Sequence, residues 1–290
     1  MKDINVKIKK MLSFLSDKMY LKLYFFFKYK KRLNLKEPKT FNEKLNWLKL
    51  NDRKEIYVTM VDKYKAKEYA ASLIGSEYII PTIGVYDKFD EIDFDKLPQQ
   101  FVIKCNHDSG SVIVCRDKNK FDIKEAKKKI EEALKRNFYL DAREWAYKNV
   151  ERKILIEEYM QDGENKCLKD YKFYCFNGKP LYLYVSEGLE NHKTARISFL
   201  DLDFNKAPFK RGDYKELDVL PQKPKNYEKM IRFAEEFSKD IPFLRVDFYE
   251  INEKLYFGEL TFAPCGGFMK FEPEEWDLKL GDLIKLDIDK

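Results

Sequence analysis

Asn177-Gly178, set between the runs Lys172–Phe176 and Leu181–Val185, constrains this chain more than any other feature. Few residues other than glycine and asparagine tolerate positive φ at both central positions of a type I′ turn, so the pair predicts a two-residue antiparallel hairpin. A second hairpin is predicted from Phe101–Lys104 and Val112–Cys115, two β-branched, apolar runs around a polar loop. A third joins Phe243–Tyr249 to Lys254–Phe262 around Asn252. Helical patterns fall between them. Thr40 and Glu43 form a capping box before Phe41, Leu45 and Leu48, and a helix is expected from Asp62 to Gly75. Asp122 and Glu125 start another, with Ala126, Ile130, Ala133 and Leu134 inward, and Tyr227–Lys239 is amphipathic. Tyr78–Val85 and Ile154–Tyr159 read as strands, and 186–226 as irregular with two short strands. Strands joined by hairpins and interleaved with helices predict an α+β fold, not a doubly wound parallel sheet.

Charge narrows the partners. Lysine and arginine (56) exceed aspartate and glutamate (50) by little in 290 residues, so an acidic partner is mildly favoured and nucleic acid is not expected. Cysteines stand at 105, 115, 167, 175 and 265 without a C-x-x-C, and with two histidines this argues against structural zinc. An odd cysteine count, the charged start Met1–Lys10 with no small-residue cleavage site, and no apolar run of membrane length predict reduced thiols and a cytoplasmic location. Residues 11–35 admit two readings. Leu23–Phe27 followed by Lys28, Lys30, Lys31 and Arg32 describes an interfacial helix in peripheral contact with the inner membrane surface. A helix packed on the main body is the favoured reading.

Two places carry chemistry. Lys104 ends the first strand of the 101–115 hairpin, and Asn106, His107, Asp108, Ser109, Gly110 and Ser111 form its loop. Such a loop can turn backbone N–H groups toward an anion, and Gly110 leaves room for a phosphate. The same residues also describe a plain hairpin with a polar turn, and there is no Walker-type loop. In the last hairpin, period-two alternation puts Arg245 and Asp247 on one face, with Glu259 and Thr261 sharing a face of the partner strand. Charges inside aromatic strands cost desolvation unless paired or metal-bound. Two carboxylates beside an arginine suit Mg²⁺ bridging a triphosphate. A surface Arg245–Glu259 pair is the alternative.

Taken in order, these phrases resemble a family. Pro38-Lys39-Thr40-Phe41-Asn42-Glu43-Lys44-Leu45, Asp62-Lys63-Tyr64, Leu97 to His107, Asp170 to Lys179 and Gly258-Glu259-Leu260-Thr261-Phe262 are similar to the TupA-like branch of the ATP-grasp superfamily, tied to teichuronopeptide and other surface-polysaccharide biosynthesis. The resemblance spans about residues 20 to 275. It implies two α+β lobes clamping ATP, with an N-terminal helical extension over 1–60, a flap lobe over 61–153 and a metal-binding lobe over 154–290. It implies that Lys104 contacts phosphates, that Asn106, His107, Ser109, Gly110 and Ser111 belong to the flap, and that Glu157 and Glu158 meet adenine and ribose. It further implies Lys172 as a second phosphate- or substrate-facing lysine, Arg245 as a phosphate or acyl-phosphate clamp, and Asp247 and Glu259 as magnesium ligands. Thr261 departs from the superfamily's usual asparagine.

The implied reaction is ATP-dependent carboxylate–amine ligation through an acyl-phosphate. Its implied substrates are an acidic sugar or polysaccharide precursor, with a uronic acid as the carboxylate, and an amine. One rival is a glycosyltransferase using Asp-x-Asp, found at Asp93/Asp95, Asp201/Asp203 and Asp287/Asp289. The other is a non-catalytic module of the same pathway. Lys193, Arg196, Lys210 and Arg211 are either solvated charge or contacts to an acidic glycan.

Overall fold

The computed structural model describes residues 14–163, 168–188 and 194–287. In chain order the elements are α1 (Asp17–Tyr29), α2 (Phe41–Asn51), α3 (Ile56–Val61), α4 (Lys65–Ile74), β1 (Thr82–Tyr86), β2 (Phe101–Cys105), β3 (Ile113–Cys115), α5 (Ile123–Lys135), α6 (Tyr139–Ala142) and β4 (Ile154–Glu158). There follow β5 (Asp170–Phe176), β6 (Lys179–Glu187), β7 (Arg196–Asp201), β8 (Lys210–Arg211), α7 (Tyr227–Ser238), β9 (Phe243–Ile251), β10 (Lys254–Thr261), β11 (Phe271–Glu272) and α8 (Trp276–Asp282). A four-stranded sheet runs β1-β4-β2-β3 and a five-stranded sheet β10-β9-β5-β6-β7. Every ladder in both is antiparallel, and β2–β3, β5–β6, β6–β7 and β9–β10 join consecutive strands. The fold is α+β.

The turns carry the expected chemistry. Asn177 and Gly178 have φ of 50° and 83°, and Asn252 and Glu253 have 50° and 63°. The Thr40–Glu43 capping box is complete, and Asp122 caps α5 through the Glu125 N–H. The expected 62–75 helix forms, with its first regular turn at Lys65 and its end at Gly75. Asp62 is extended and its carboxylate accepts from the N–H groups of Tyr64 (2.9 Å) and Lys65 (3.3 Å), so α3 stops at Val61 and α4 begins at Lys65. The expected 78–85 strand begins only at Thr82, because Ser76–Tyr78 forms a 3₁₀ turn.

Alternation along the five-stranded sheet separates two faces. Phe173, Leu183, Val185, Val246 and Phe248 point to one and pack on Met230, Ala234 and Phe237 of α7. The opposite face is divided along the strands. Toward one end Tyr174, Phe176, Tyr184, Phe199 and Phe243 pack with Phe41 and Leu45 of α2. Phe41 has no exposed surface and meets the Phe243 ring edge-on at 4.9 Å. Toward the other end the same face carries Asp170, Lys172, Arg245 and Asp247. The smaller sheet packs Ile103, Cys105 and Ile156 on Ala126 and Ile130 of α5.

The favoured reading of the N-terminal segment holds for α1. Tyr20, Leu21 and Phe25 bury against Phe268, Lys28 donates to the Phe268 carbonyl, and the Tyr29 hydroxyl donates to Met269 O at 3.0 Å. Asn42 of α2 grips the same segment, donating to Met269 O (2.8 Å) and accepting from its N–H (2.7 Å). The other side of α1 exposes Met19, Phe26 and Phe27. Among the described residues no helix is long and apolar enough to cross a membrane.

Candidate active site

On the four-stranded sheet, Lys104 and Glu157 lie diagonally on β2 and β4, opposite Leu155 and Val102 respectively. Lys104 Nζ is 2.5 Å from Glu157 Oε2, and Lys67 of α4 pairs with the other oxygen. Lys67 also donates to Ile80 O (2.8 Å) and Thr82 Oγ1 (3.0 Å). Burial works to raise the Glu157 pKa, but Lys104 and Lys67 outweigh it and hold the carboxyl below its ordinary value. Burial depresses the Lys67 and Lys63 ammonium groups. Lys63 donates to the Asp108 carbonyl, and both Glu157 and Glu259 act on its charge, so it stands between the two sheets. Glu158, next on β4, is exposed.

The 106–111 loop spends most of its side chains on the surrounding protein, with only Ser111 and Asp108 bonded to each other. Asn106 donates to Asp62 Oδ1 (3.0 Å) and Glu151 O (2.8 Å) and accepts from the Lys153 N–H (2.8 Å). His107 Nε2 is 3.2 Å from Ala133 O, and burial lowers the imidazole pKa, which makes Nε2–H the donor of a neutral ring. Ser111 donates to Asp108 Oδ1 (2.6 Å) and accepts from the Cys105 N–H (2.8 Å). Ser109 and Gly110 form the exposed tip. Gly110 has φ of 104°, a conformation that excludes most side chains. Cys105 packs beneath, its thiol pushed up to about 12 by burial.

The second cluster is built on β5, β9 and β10. Lys172 and Asp247 are direct cross-strand partners, and Asp247 has no exposed surface. Arg245 donates through Nε to Asp247 Oδ1 (2.7 Å) and through Nη2 to Oδ2 (2.6 Å). Lys172 Nζ donates to the same Oδ2 at 2.5 Å and lies 3.3 Å from Asp170 Oδ1. Burial pushes the Asp247 carboxyl up, and Arg245 and Lys172 oppose it. Burial would lower the Lys172 pKa, yet Asp170 and Asp247 hold it well above the usual value. A bulge between Phe257 and Leu260 sets both Gly258 and Glu259 across from Asp247. A Cβ on Gly258 would lie 3.0 Å from Asp247 O, so a side chain there would press on the β9 backbone. Arg245 Nη2 also donates to Glu259 Oε1 (2.6 Å), so the cross-strand pair anticipated as an alternative is present. It is no ordinary surface pair: Arg245 is buried, while the Glu259 side chain is 40% exposed. Arg245, Lys172 and Lys63 overcome burial and hold the Glu259 carboxyl at about 2.

The donor set admits a divalent cation unequally. Glu259 keeps one oxygen clear of the Arg245 bond, and its side chain is 40% exposed. Asp247 has both oxygens engaged by cations. Among the described residues no group of three or more His, Cys, Asp or Glu is placed to hold a metal. Lys63, Lys67 and Asp170 escaped assignment from sequence. Asp170 lies two residues before Lys172 on one strand, so period two would have found it. Lys63 and Lys67 are spaced four apart across the start of α4, where spacing alone does not say which sheet they face.

The remaining candidates are used locally. The Asp93 carboxylate accepts from the Asp95 N–H (3.2 Å) and that of Asp201 from the Asn205 N–H (2.8 Å), so both pairs shape turns, and Asp289 lies outside the described residues. Arg211 forks onto Asp213 (2.8 and 2.6 Å), Arg196 meets Asp218 (3.0 Å) and Lys210 meets Glu272 (3.4 Å). Lys193 is outside the described residues.

With this geometry in hand, comparison with known proteins is informative. A family model described as TupA-like ATPgrasp matches residues 43–285. No significant match is found among curated proteins. Similar solved structures include the D-alanine–D-alanine ligase of Helicobacter pylori, 15% identical with a TM-score of 0.46 over 84% of this chain and 69% of that one. The Bacillus anthracis D-alanine–D-alanine ligase complexed with ATP is 18% identical, with a TM-score of 0.43 over 78% of this chain and 64% of its own. N5-carboxyaminoimidazole synthase from Aspergillus clavatus, in complex with ADP and 5-aminoimidazole ribonucleotide, is 10% identical with a TM-score of 0.42, over 70% of this chain and 44% of its own. The chain thus spans about two thirds of the length of the two D-alanine–D-alanine ligases.

Proposed function

This chain belongs to the TupA-like ATP-grasp family, and on that premise we propose that it is an ATP-dependent ligase joining a carboxylate to an amine. The observation that carries the reading is the unequal charge of the two clusters. Lys67 and Lys104 share a single glutamate on one side, Asp170, Asp247 and Glu259 outnumber Lys172 and Arg245 on the other, and Lys63 stands between them. A triphosphate with its magnesium presents the complementary pair, anionic oxygens and a hard cation.

In this reading Lys104, with Lys63 beside it, binds phosphate oxygens, and the Ser109–Gly110 backbone covers them. Glu259 offers its clear oxygen to Mg²⁺, which when bound neutralises charge on the transferring phosphoryl group. Asp247 acts from behind by fixing the Arg245 guanidinium, and Arg245 and Lys172 receive the acyl-phosphate. The substrate carboxylate attacks the γ-phosphorus and ADP leaves. The amine then attacks the acyl carbon, the C–O bond to phosphate breaks, and the amide and inorganic phosphate result. Catalysis is positioning and fixed charge, with no protein nucleophile. Glu158, exposed at the end of β4, and Glu157 beside it are assigned to the nucleoside end. For the lobes we propose the boundaries 1–60, 61–153 and 154–290, with α4 of the middle segment packing Ala66, Ala70 and Ile74 into the core of the five-stranded sheet.

For the carboxylate we propose a uronic acid of a bacterial surface polysaccharide or its precursor. The test is incubation with Mg-ATP, UDP-glucuronate or an oligouronate, and a panel of amines. Amine-dependent ADP release supports the ligase. Release of a nucleoside diphosphate from a sugar donor without ATP supports a glycosyltransferase instead.

We also propose that α1 rests on the inner membrane surface. Its outer side sets Met19, Phe26 and Phe27 beside exposed Lys18, Lys22 and Lys30, an arrangement suited to anionic lipid. Flotation with phosphatidylglycerol vesicles should fall at 0.5 M salt (about a twofold shorter Debye length) and on Phe26→Ser/Phe27→Ser. Equal flotation of wild type and variant removes the idea.

A further inference from the structure

A cavity of about 40 Å³ opens between α2, α3 and the turn at Trp145–Tyr147. Its walls carry the rings of Tyr57, Trp145, Tyr147 and Phe262 and the acidic residues Asp52 and Glu144. Asp52 is already engaged, accepting from the Tyr57 hydroxyl at 2.8 Å. Lys49 also lines the cavity, but its ammonium donates to Ala142 O (2.7 Å) and Gly266 O (2.6 Å). Glu144 makes no side-chain hydrogen bond or ion pair with any described residue. Burial pushes its carboxyl up to about 7, against the pull of Lys49 and Arg245.

A carboxylate left unpaired among aromatic walls pays desolvation that a cation would offset. Aromatic faces attract the same kind of ligand. The volume is ample for one ammonium group, since a cavity of roughly 10–15 Å³ already holds a water molecule. Location points to the reaction. Phe243 forms part of the wall, and Arg245 lies two residues further along β9 on the same face, about 7 Å away by strand geometry. Phe262 follows Thr261, the cross-strand partner of Arg245.

We propose that this cavity is the amine subsite, in which Glu144 holds the primary ammonium group of the co-substrate next to the Arg245–Glu259 end of the site. The proposal rests on the ligase reading and adds the residue and the place that select the second substrate. A formal charge of +6 on the whole chain works against non-specific capture of a cation, so binding here has to be local.

Methylammonium is the probe, followed by saturation-transfer NMR on the full chain. Wild type should saturate its methyl signal at least five-fold more than that of methanol at equal concentration. Glu144→Gln should abolish most of that difference while melting no lower than wild type, since it removes an unpaired charge. Binding of a non-hydrolysable ATP analogue, measured on the same samples, should be unchanged by Glu144→Gln. Equal saturation in wild type and Glu144→Gln, or no preference over methanol in wild type that binds the nucleotide, overturns the subsite. Wild type that binds no nucleotide overturns the ligase reading instead. The methylammonium–methanol contrast in wild type decides the matter even if the variant does not fold.

Discussion

Both sheets bury a carboxylate between two cations, yet the two arrangements differ in what they leave over. Glu157 is shared by Lys67 and Lys104, whose side chains remain 11% and 19% exposed. With Lys63 nearby, that wall keeps positive charge for a ligand. Asp247 is sealed by Arg245 and Lys172, and the charge left over is the acidic Glu259, whose side chain is 40% exposed. Nearly identical pairing chemistry therefore leaves surplus positive charge on one sheet and surplus negative charge on the other, the contrast on which the proposed phosphate and metal sides rest. The outcome depends on which partner is fully buried.

The largest expected effect tests that difference in burial. Asp247→Asn removes the buried carboxylate that Arg245 and Lys172 share, leaving them only Glu259 and Asp170 respectively. It should cost about 3–5 kcal/mol of stability, read by urea denaturation. A loss below about 1 kcal/mol would show that the cluster is hydrated and the contrast false.

Glu259→Gln separates function from fold. The side chain is half-exposed, so the melting temperature should stay nearly constant, while ADP release should fall roughly a hundred-fold and recover in part at high magnesium. Lower stability with normal turnover and no magnesium rescue would reduce Glu259 to a structural partner of Arg245.

Glu157→Gln should cost less than Asp247→Asn, about 1.5–3 kcal/mol at neutral pH, because its lysines reach solvent. The sign with pH follows from linkage. The folded pKa lies below the unfolded value near 4.3, so the stabilisation is complete above that value and is lost as pH falls through the depressed folded pKa. The stability gap between wild type and Glu157→Gln should therefore be flat from about pH 6 to 8 and close below about pH 4. A gap that widens on acidification would mean the lysines do not hold the carboxylate.

Most of the fold was legible before any coordinates. Asn177-Gly178, the Thr40–Glu43 box and the alternation in 243–262 each depend on neighbours within a few residues, and each formed as expected. The helix expected near 62–75 formed between Asp62 and Gly75, but that Asp62 is also tied to Asn106 across the fold was not visible in sequence. The site was legible where one strand carried it, as with Arg245 and Asp247. It was hidden where the partners came from separate elements, as with Lys63, Lys67 and Glu144, whose roles depend on which element packs against them. The flap shows the converse limit. The polar residues were visible in sequence, but that Asn106, His107 and Ser111 turn inward depends on Ala133, Glu151 and Asp108, which composition does not locate.

Nucleotide titration by calorimetry, with and without magnesium, tests the division between the walls most directly. Lys104→Ala should weaken ATP about ten-fold, roughly 1.4 kcal/mol, by the same factor in EDTA and in magnesium. Glu259→Gln should leave affinity in EDTA unchanged and remove most of the gain that magnesium confers on wild type. Two variants that lose affinity in the same pattern, or Lys104→Ala indistinguishable from wild type in both buffers, would contradict the assignment of phosphate to one sheet and metal to the other.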